Sequence, residues 1–320
     1  MTSIVRRIPF KPIAATLLAL SFSGSGTSQS VQGHAPARPG TLIELRIAAA
    51  RPGSVVTIPP GSYGPVRLFN IRRDPAIEVR LSGVTVAGLY IRNSAGLTLV
   101  GGTVDPNNKE RVAVDALSVD NLTLRDMTAT RALRGFTVGR GRNIQLINNE
   151  AHNLRSDGIN IAAVQNVLVE GNFCHDFTPI KAIRDEKGNL IKDGDHPDCI
   201  QSWSRPTEMA NTNIIVRANR MEGDMQGIFF GSGGNDGGYD RVQIIGNVVN
   251  VGAPNGIALG DGRDSRVMGN RVSSMPGYAF PNGEAVRTSI VISRPERTMA
   301  CGNYVEDFPD SPPARRCAKP

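Results

Sequence analysis

The stretch DGINIAAVQNVLVEGNF, residues 157–173, sets a small and an apolar residue after its first aspartate, alternates apolar residues through its middle and closes on an asparagine. Four further segments keep that order: RGFTVGRGRNIQLINNE from Arg134, DCIQSWSRPTEMANTNIIVRANR from Asp198, QGIFFGSGGNDGGYDRVQIIGNV from Gln226 and NGIALGDGRDSRVMGNR from Asn255. In chain order the first residue precedes its asparagine by 15, 15, 21, 21 and 15 positions, so two units carry six extra residues at one place. The asparagines are Asn149, Asn172, Asn219, Asn247 and Asn270. Stacked at a bend, they can satisfy backbone and amide groups of the neighbouring unit. A unit of two short strands and a turn buries no face alone, but units stacked about 4.8 Å apart close a continuous parallel core.

The pattern therefore predicts an all-β chain, a right-handed parallel β-helix (solenoid) with a short N-terminal capping helix. A leucine-rich repeat would show its own leucine/asparagine consensus and a helical segment per unit, and a propeller would need longer units. NLTLRDM from Asn121 and GLTLVGG from Gly96 keep the leucine alternation without the asparagine, which puts the start of the repeat by about residue 80. Ahead of it, TLIELRIAAARPG from Thr41 reads as the capping helix, with a Thr41/Glu44 capping box and an apolar side of Leu42, Leu45 and Ile47. Such a helix covers an open solenoid end and blocks edge pairing.

Composition agrees: 35 glycines, 21 prolines and 5% aromatics in 320 residues describe many short strands joined by turns. Residues 1–35 read as signal peptide and leader, because Arg6, Arg7 and Lys11 flank PIAATLLALSF, an apolar run too short to span a bilayer. The mature start falls between residues 25 and 36, the solenoid occupies 36–308 with an insertion at 178–195, and 309–320 form a tail. No other segment can span a membrane, so the expected location is secreted or periplasmic. Four cysteines suit an oxidising compartment, with Cys301 and Cys317 able to staple the tail and Cys174 and Cys199 flanking the insertion; four reduced thiols fit equally well. A net charge of +7 on an exported chain points to acidic polysaccharide or oligosaccharide as partner, and not to nucleic acid.

Counting each unit from its first residue, position two is Phe136, Ile159, Ile200, Ile228 and Ile257, the core. Period-two alternation sends positions three and five outward: Thr137, Asn160, Gln201, Phe229 and Ala258, then Ala162, Trp203, Gly231 and Gly260. The first residues, Arg134, Asp157, Asp198, Gln226 and Asn255, sit at the bend and can project onto the same face. A hydrated stripe needs no function, yet Asp157 and Asp198 fall on consecutive units, where each raises the other's proton affinity or both share a calcium ion. Trp203 beside them offers a sugar-stacking indole. The insertion, with EKGN as a hairpin tip, brings His175, Lys181 and His196 toward the stripe and can wall a cleft.

The succession DGI at 157, DCI at 198, QGI at 226 and NGI at 255 resembles the polygalacturonase-type glycoside hydrolases of the pectate-lyase-like superfamily over roughly residues 155–262, and PGSVVTIPPGSYG from Pro52 resembles the opening of many secreted β-helix proteins. The resemblance implies Asp157 and Asp198 as catalytic aspartates. It breaks at Pro197, where those enzymes carry the first acid of an Asp-Asp pair, at Gln226, where they carry histidine, and at Ala258 and Gly260, where they carry arginine and lysine. The leading expectation is a polysaccharide lyase acting by β-elimination, with Lys181, His196 or His175 as base and Arg134 or calcium neutralising the uronate carboxylate. The alternatives are a hydrolase using Asp157 and Asp198, a non-catalytic glycan-binding β-helix, and a uronate C5-epimerase. Asn160, Gln201, Gln226, Phe229 and Asn255 complete the expected substrate contacts.

Overall fold

A computed structural model describes residues 37–203, 210–231, 237–280 and 282–317. The leader at 1–35 lies outside the described residues, as do residues 204–209 and 232–236, where the two longer units carry their extra length. From Val55 the chain winds into parallel rungs: Val55–Thr57 pairs with Glu78–Arg80, so stacking starts earlier than the leucine alternation alone indicated.

Two parallel sheets carry the winding. The larger has sixteen strands and holds the long strands Leu89–Val100, Asn108–Arg125, Ala132–Ile147 and Ile159–Glu170. In later rungs each long strand is split, as in Asp198–Trp203 and Asn211–Arg217, or Gln226–Gly231 and Tyr239–Ile245. The split falls where the longer units carry their six extra residues. The smaller sheet stacks ten short strands from Gly61–Tyr63 to Tyr304–Val305.

Core and ladder follow from the repeat. Phe136, Ile159, Ile200, Ile228 and Ile257 are in register and fully buried. Each ladder asparagine turns its oxygen to the preceding rung: Asn172 Oδ1 accepts the Asn149 backbone N–H at 2.9 Å and its Nδ2 at 3.0 Å, and the same pair of bonds joins Asn172 to Asn219, Asn219 to Asn247 and Asn247 to Asn270. The column runs one rung past the sequence expectation, to Asn303, whose Nδ2 donates to the Pro313 carbonyl at 2.7 Å. A second, exposed column joins Asn121, Asn143, Asn166 and Asn213, all at positive φ, a conformation asparagine tolerates at a corner.

Both ends are closed within the chain. The helix Thr41–Ala48 buries Ile43 and Ile47 against the first rungs. Its expected capping box is absent: Gly40 is the N-cap, and Glu44 instead accepts the Arg67 backbone N–H at 2.7 Å, tying helix to strand. The expected apolar side is also rotated, with Leu42 and Leu45 exposed and Ile43 in their place, because the helix docks by one turn-to-turn pair. At the other end the tail is stapled by the disulfide Cys301–Cys317, and Cys174–Cys199 closes the base of the insertion. Among the described residues no helix is long and apolar enough to cross a membrane.

Candidate functional site

Pairing on the large sheet places Thr137, Asn160, Gln201 and Phe229 in one outward column and Gly139, Ala162, Trp203 and Gly231 in the next. Small residues on either side leave the Trp203 indole standing over a shallow floor. A Cβ added at Gly231 would come within 2.6 Å of the Phe229 ring and 2.9 Å of the Trp203 ring, so the glycine leaves room for both rings. Phe229 meets it at 5.8 Å between centroids, tilted by 52°. Beneath this aromatic pair the buried Tyr239 hydroxyl donates toward the carbonyls of Ser202 and Gly231, at 2.8 and 2.6 Å, and fixes the backbone that presents it.

The two aspartates do not project into solvent as expected; each is 1% exposed. Their neighbours roof them. Arg134 Nε forms an ion pair with Asp157 Oδ2 at 2.8 Å without hydrogen-bond geometry; that oxygen accepts from Asn160 Nδ2 at 3.2 Å, while Asp157 Oδ1 lies 3.3 Å from the Asp198 backbone nitrogen and from Ser156 Oγ. Asn160 Nδ2 donates to Gln201 Oε1 at 2.5 Å, and Gln201 Nε2 donates to Asp198 Oδ2. Asp198 Oδ1 is buried and has no hydrogen-bond partner among the described residues. The cation pairs with Asp157, and Gln201 is the hydrogen-bond donor on Asp198. Burial, and then the Asp157 charge, push the Asp198 carboxyl well above the usual carboxylate range against the opposing Gln201 bond. Burial also raises Asp157, with Arg134 and its hydrogen bonds pulling it back.

Next to the strand entrance opens a cleft of about 320 Å³ lined by Lys181, Asp193, His196, Asp224, Gln226 and Asn255, with backbone of the insertion as its wall. Gln226 pairs in register with Asp198, so cleft and stripe adjoin. Asn255 Nδ2 donates to Gln226 Oε1. His196 is largely exposed, and Asp193 Oδ1 holds its Nε2 at 3.2 Å; Lys181 pairs with Asp224. The insertion carries the expected hairpin, Ile183–Arg184 against Leu190–Lys192. Its base is clamped where Arg155 reaches Asp195 at 2.8 and 3.0 Å, which holds the Asp195 carboxyl below its ordinary range.

His175 is not in this site. It belongs to Phe173–His175 of the smaller sheet, stacked on His152 and Phe173 and held by Glu150 and Asp176 at 2.8 and 2.7 Å. Burial works against its charge, but the two carboxylates outweigh that and raise its proton affinity. It lines a separate cavity with Glu222 and Tyr278. Chain proximity misplaced it because the rung turns a corner between residues 170 and 173. The expected calcium finds few donors here: Asp157 and Asp198 supply two buried carboxyl groups where calcium takes six or more oxygens, and among the described residues no group of three or more His, Cys, Asp or Glu is arranged to hold a metal. Sequence reasoning missed Asp224 and Tyr239 and named Gly231 only as an outward position. Only Gly231 left a signal, as the position-five partner of Trp203.

The sequence matches the family described as right handed beta helix region over residues 87–272. Comparison with curated proteins finds no match. Among solved structures, the catalytic domain of a GH87 alpha-1,3-glucanase in complex with tetrasaccharides is 12% identical with a TM-score of 0.34, the alignment covering 78% of this chain and 56% of that domain. DFA-IIIase from Arthrobacter chlorophenolicus A6, in complex with DFA-III, is 12% identical over 82% and 88% of the two chains, TM-score 0.43. A family 28 exopolygalacturonase from Yersinia enterocolitica is 11% identical over 79% and 74%, TM-score 0.33. The chain spans little more than half of the glucanase domain.

Proposed function

We propose, from the premise that the chain belongs to the right-handed β-helix family, that it is an exported polysaccharide-active enzyme that cleaves a uronate-containing glycan by β-elimination. The observation that carries this is the contrast in access: Asp157 and Asp198 are sealed, while His196 and Lys181 line one open cleft beside the aromatic stripe. A hydrolase of the resembled type needs two carboxyl groups that reach the glycosidic oxygen and the attacking water. Elimination needs one accessible base and one cation at the substrate carboxylate. In this reading His196, oriented by Asp193, takes the proton next to the uronate carboxylate, Lys181 neutralises that carboxylate, and Asn160, Gln201, Trp203 and Phe229 hold the sugar rings. The two disulfides favour an oxidising compartment, in keeping with export.

One observation favours glycan binding without turnover. Asp193, Asp195 and Asp224 outnumber Lys181 around the cleft, which repels an anionic chain despite the net charge of +7. Incubation with pectate, alginate and neutral glycans separates the readings. Growth of the ultraviolet absorbance of unsaturated uronate, lost in His196→Ala, supports elimination. New reducing ends without that absorbance overturn it in favour of hydrolysis, and retained binding with neither signal leaves a binding protein.

A further inference from the structure

The polar network on the outer face has a direction, and its source is Arg134. Arg134 Nε lies 2.8 Å from Asp157 Oδ2 as an ion pair without hydrogen-bond geometry; the guanidinium charge favours the ionised carboxylate, which only accepts. Asn160 must therefore face that oxygen with its nitrogen, as it does at 3.2 Å; an amide oxygen there would meet an acceptor. The other hydrogen on Asn160 Nδ2 goes to Gln201 Oε1 at 2.5 Å, which turns Gln201 Nε2 to Asp198 Oδ2. Both Asn160 hydrogens are consumed. Within the network this leaves Asn160 Oδ1, an acceptor, and the second hydrogen of Gln201 Nε2, a donor, on paired positions of adjacent rungs in the outward column.

We propose that Arg134, acting through Asp157, is a positioning residue that sets this polarity, so that the outer face offers an acceptor and a donor about one strand spacing apart to neighbouring hydroxyls of a sugar ring. A carboxylate, which only accepts, is repelled by Asn160 Oδ1; the network therefore reads ring hydroxyls and leaves a uronate carboxylate to the Lys181 side of the cleft. The ligand class rests on the glycan reading above, while the polarity itself does not. Asp198 ends the chain as acceptor and adds no direction of its own.

Side-chain amide exchange in the ¹⁵N-labelled full chain tests this, with signals assigned by their loss in Asn160→Ala and Gln201→Ala. Both hydrogens of Asn160 are expected to exchange at least tenfold more slowly than those of a free asparagine amide, and Gln201 to show one slow and one fast. In Arg134→Met the buried Asp157 takes up a proton, the order of donors fails and Asn160 loses that protection; Arg134→Lys restores it. Two fast hydrogens on Asn160, or a pattern unchanged in Arg134→Met, overturns the assignment. Should Arg134→Met fail to fold, Arg134→Gln, which also removes the charge, takes its place, and an Asn160 pattern unchanged in it overturns the assignment. Titration with glucose and with glucuronate is expected to shift the fast Gln201 hydrogen in both cases; a response to glucuronate alone, or to neither, overturns the hydroxyl assignment. Absence of elimination activity would leave all of these readings intact.

Discussion

Asp198 shows how a side chain's chemistry is set by what roofs it. Its folded-state proton affinity is raised, first by burial and then by Asp157, above the value it has in the unfolded chain. Such a group contributes stability that is fully present below the unfolded pKa, about 4, and is lost as pH rises through the folded pKa. The thermal midpoint should therefore fall as pH is raised from 4 upward, and Asp198→Asn, a neutral isostere, should remove that component; an unchanged pH profile in the variant refutes it. His196 makes a complementary case. If Asp193 orients it, Asp193→Asn should lower kcat by about tenfold or more with little change in KM, whereas His196→Ala should abolish turnover. The sequence located both residues, because a strand start and its approach are readable from the repeat. It could not expose the burial of the pair, where Arg134 and Asn160 meet Asp157 and Gln201 meets Asp198, contacts that run across three rungs.

At the scale of elements, the parts written identically on every rung were legible and the parts written once were not. The asparagine column could be read from spacing because each rung poses the same problem, a bend with an orphan N–H and an orphan carbonyl. Asn219 alone accepts from the Asn172 N–H and donates to the Val169 carbonyl and to Asn247 Oδ1. Asn219→Ala leaves at least two buried backbone groups unpaired and should cost about 3 kcal/mol, read as a lower urea midpoint at unchanged slope. The N-terminal helix occurs once, and its capping box failed because Glu44 found a partner 23 residues away in sequence, the Arg67 N–H, that local pattern cannot reveal. The insertion also occurs once. Its hairpin is held at the base by Cys174–Cys199, a bridge across 25 residues, and by the Arg155–Asp195 clamp. Replacing both cysteines by alanine should cost roughly 3 kcal/mol by chain entropy and raise KM more than it lowers kcat, since the hairpin walls the cleft but carries the exposed His196 only at its edge. A variant with wild-type stability and KM would show that the clamp alone sets the wall.

At the scale of the solenoid, stability is close to a sum of rungs and rung-to-rung contacts, so the ends decide where unfolding starts. The helix Thr41–Ala48 closes one end with two buried isoleucines. At the other end the described residues form no helix; the ladder runs to Asn303 and meets the tail, where the Gly302 N–H donates to the Arg315 carbonyl, the Asn303 N–H and Nδ2 donate to the Pro313 carbonyl, and Cys317 staples the segment to Cys301. Phe308 and Ala314 pack on the core there. Removing residues 309–320 strips all of these contacts except the Phe308 packing, leaving Asn303 without the Pro313 carbonyl and Cys301 without its disulfide partner. Backbone hydrogen exchange should then accelerate in Met299–Cys301 and Tyr304–Val305, with the loss of protection fading toward Asn255–Gly260 and absent at Leu89–Val100. Uniform loss along the whole winding would mean that the rungs melt as one cooperative unit and that the tail guards the entire structure, not its last turn.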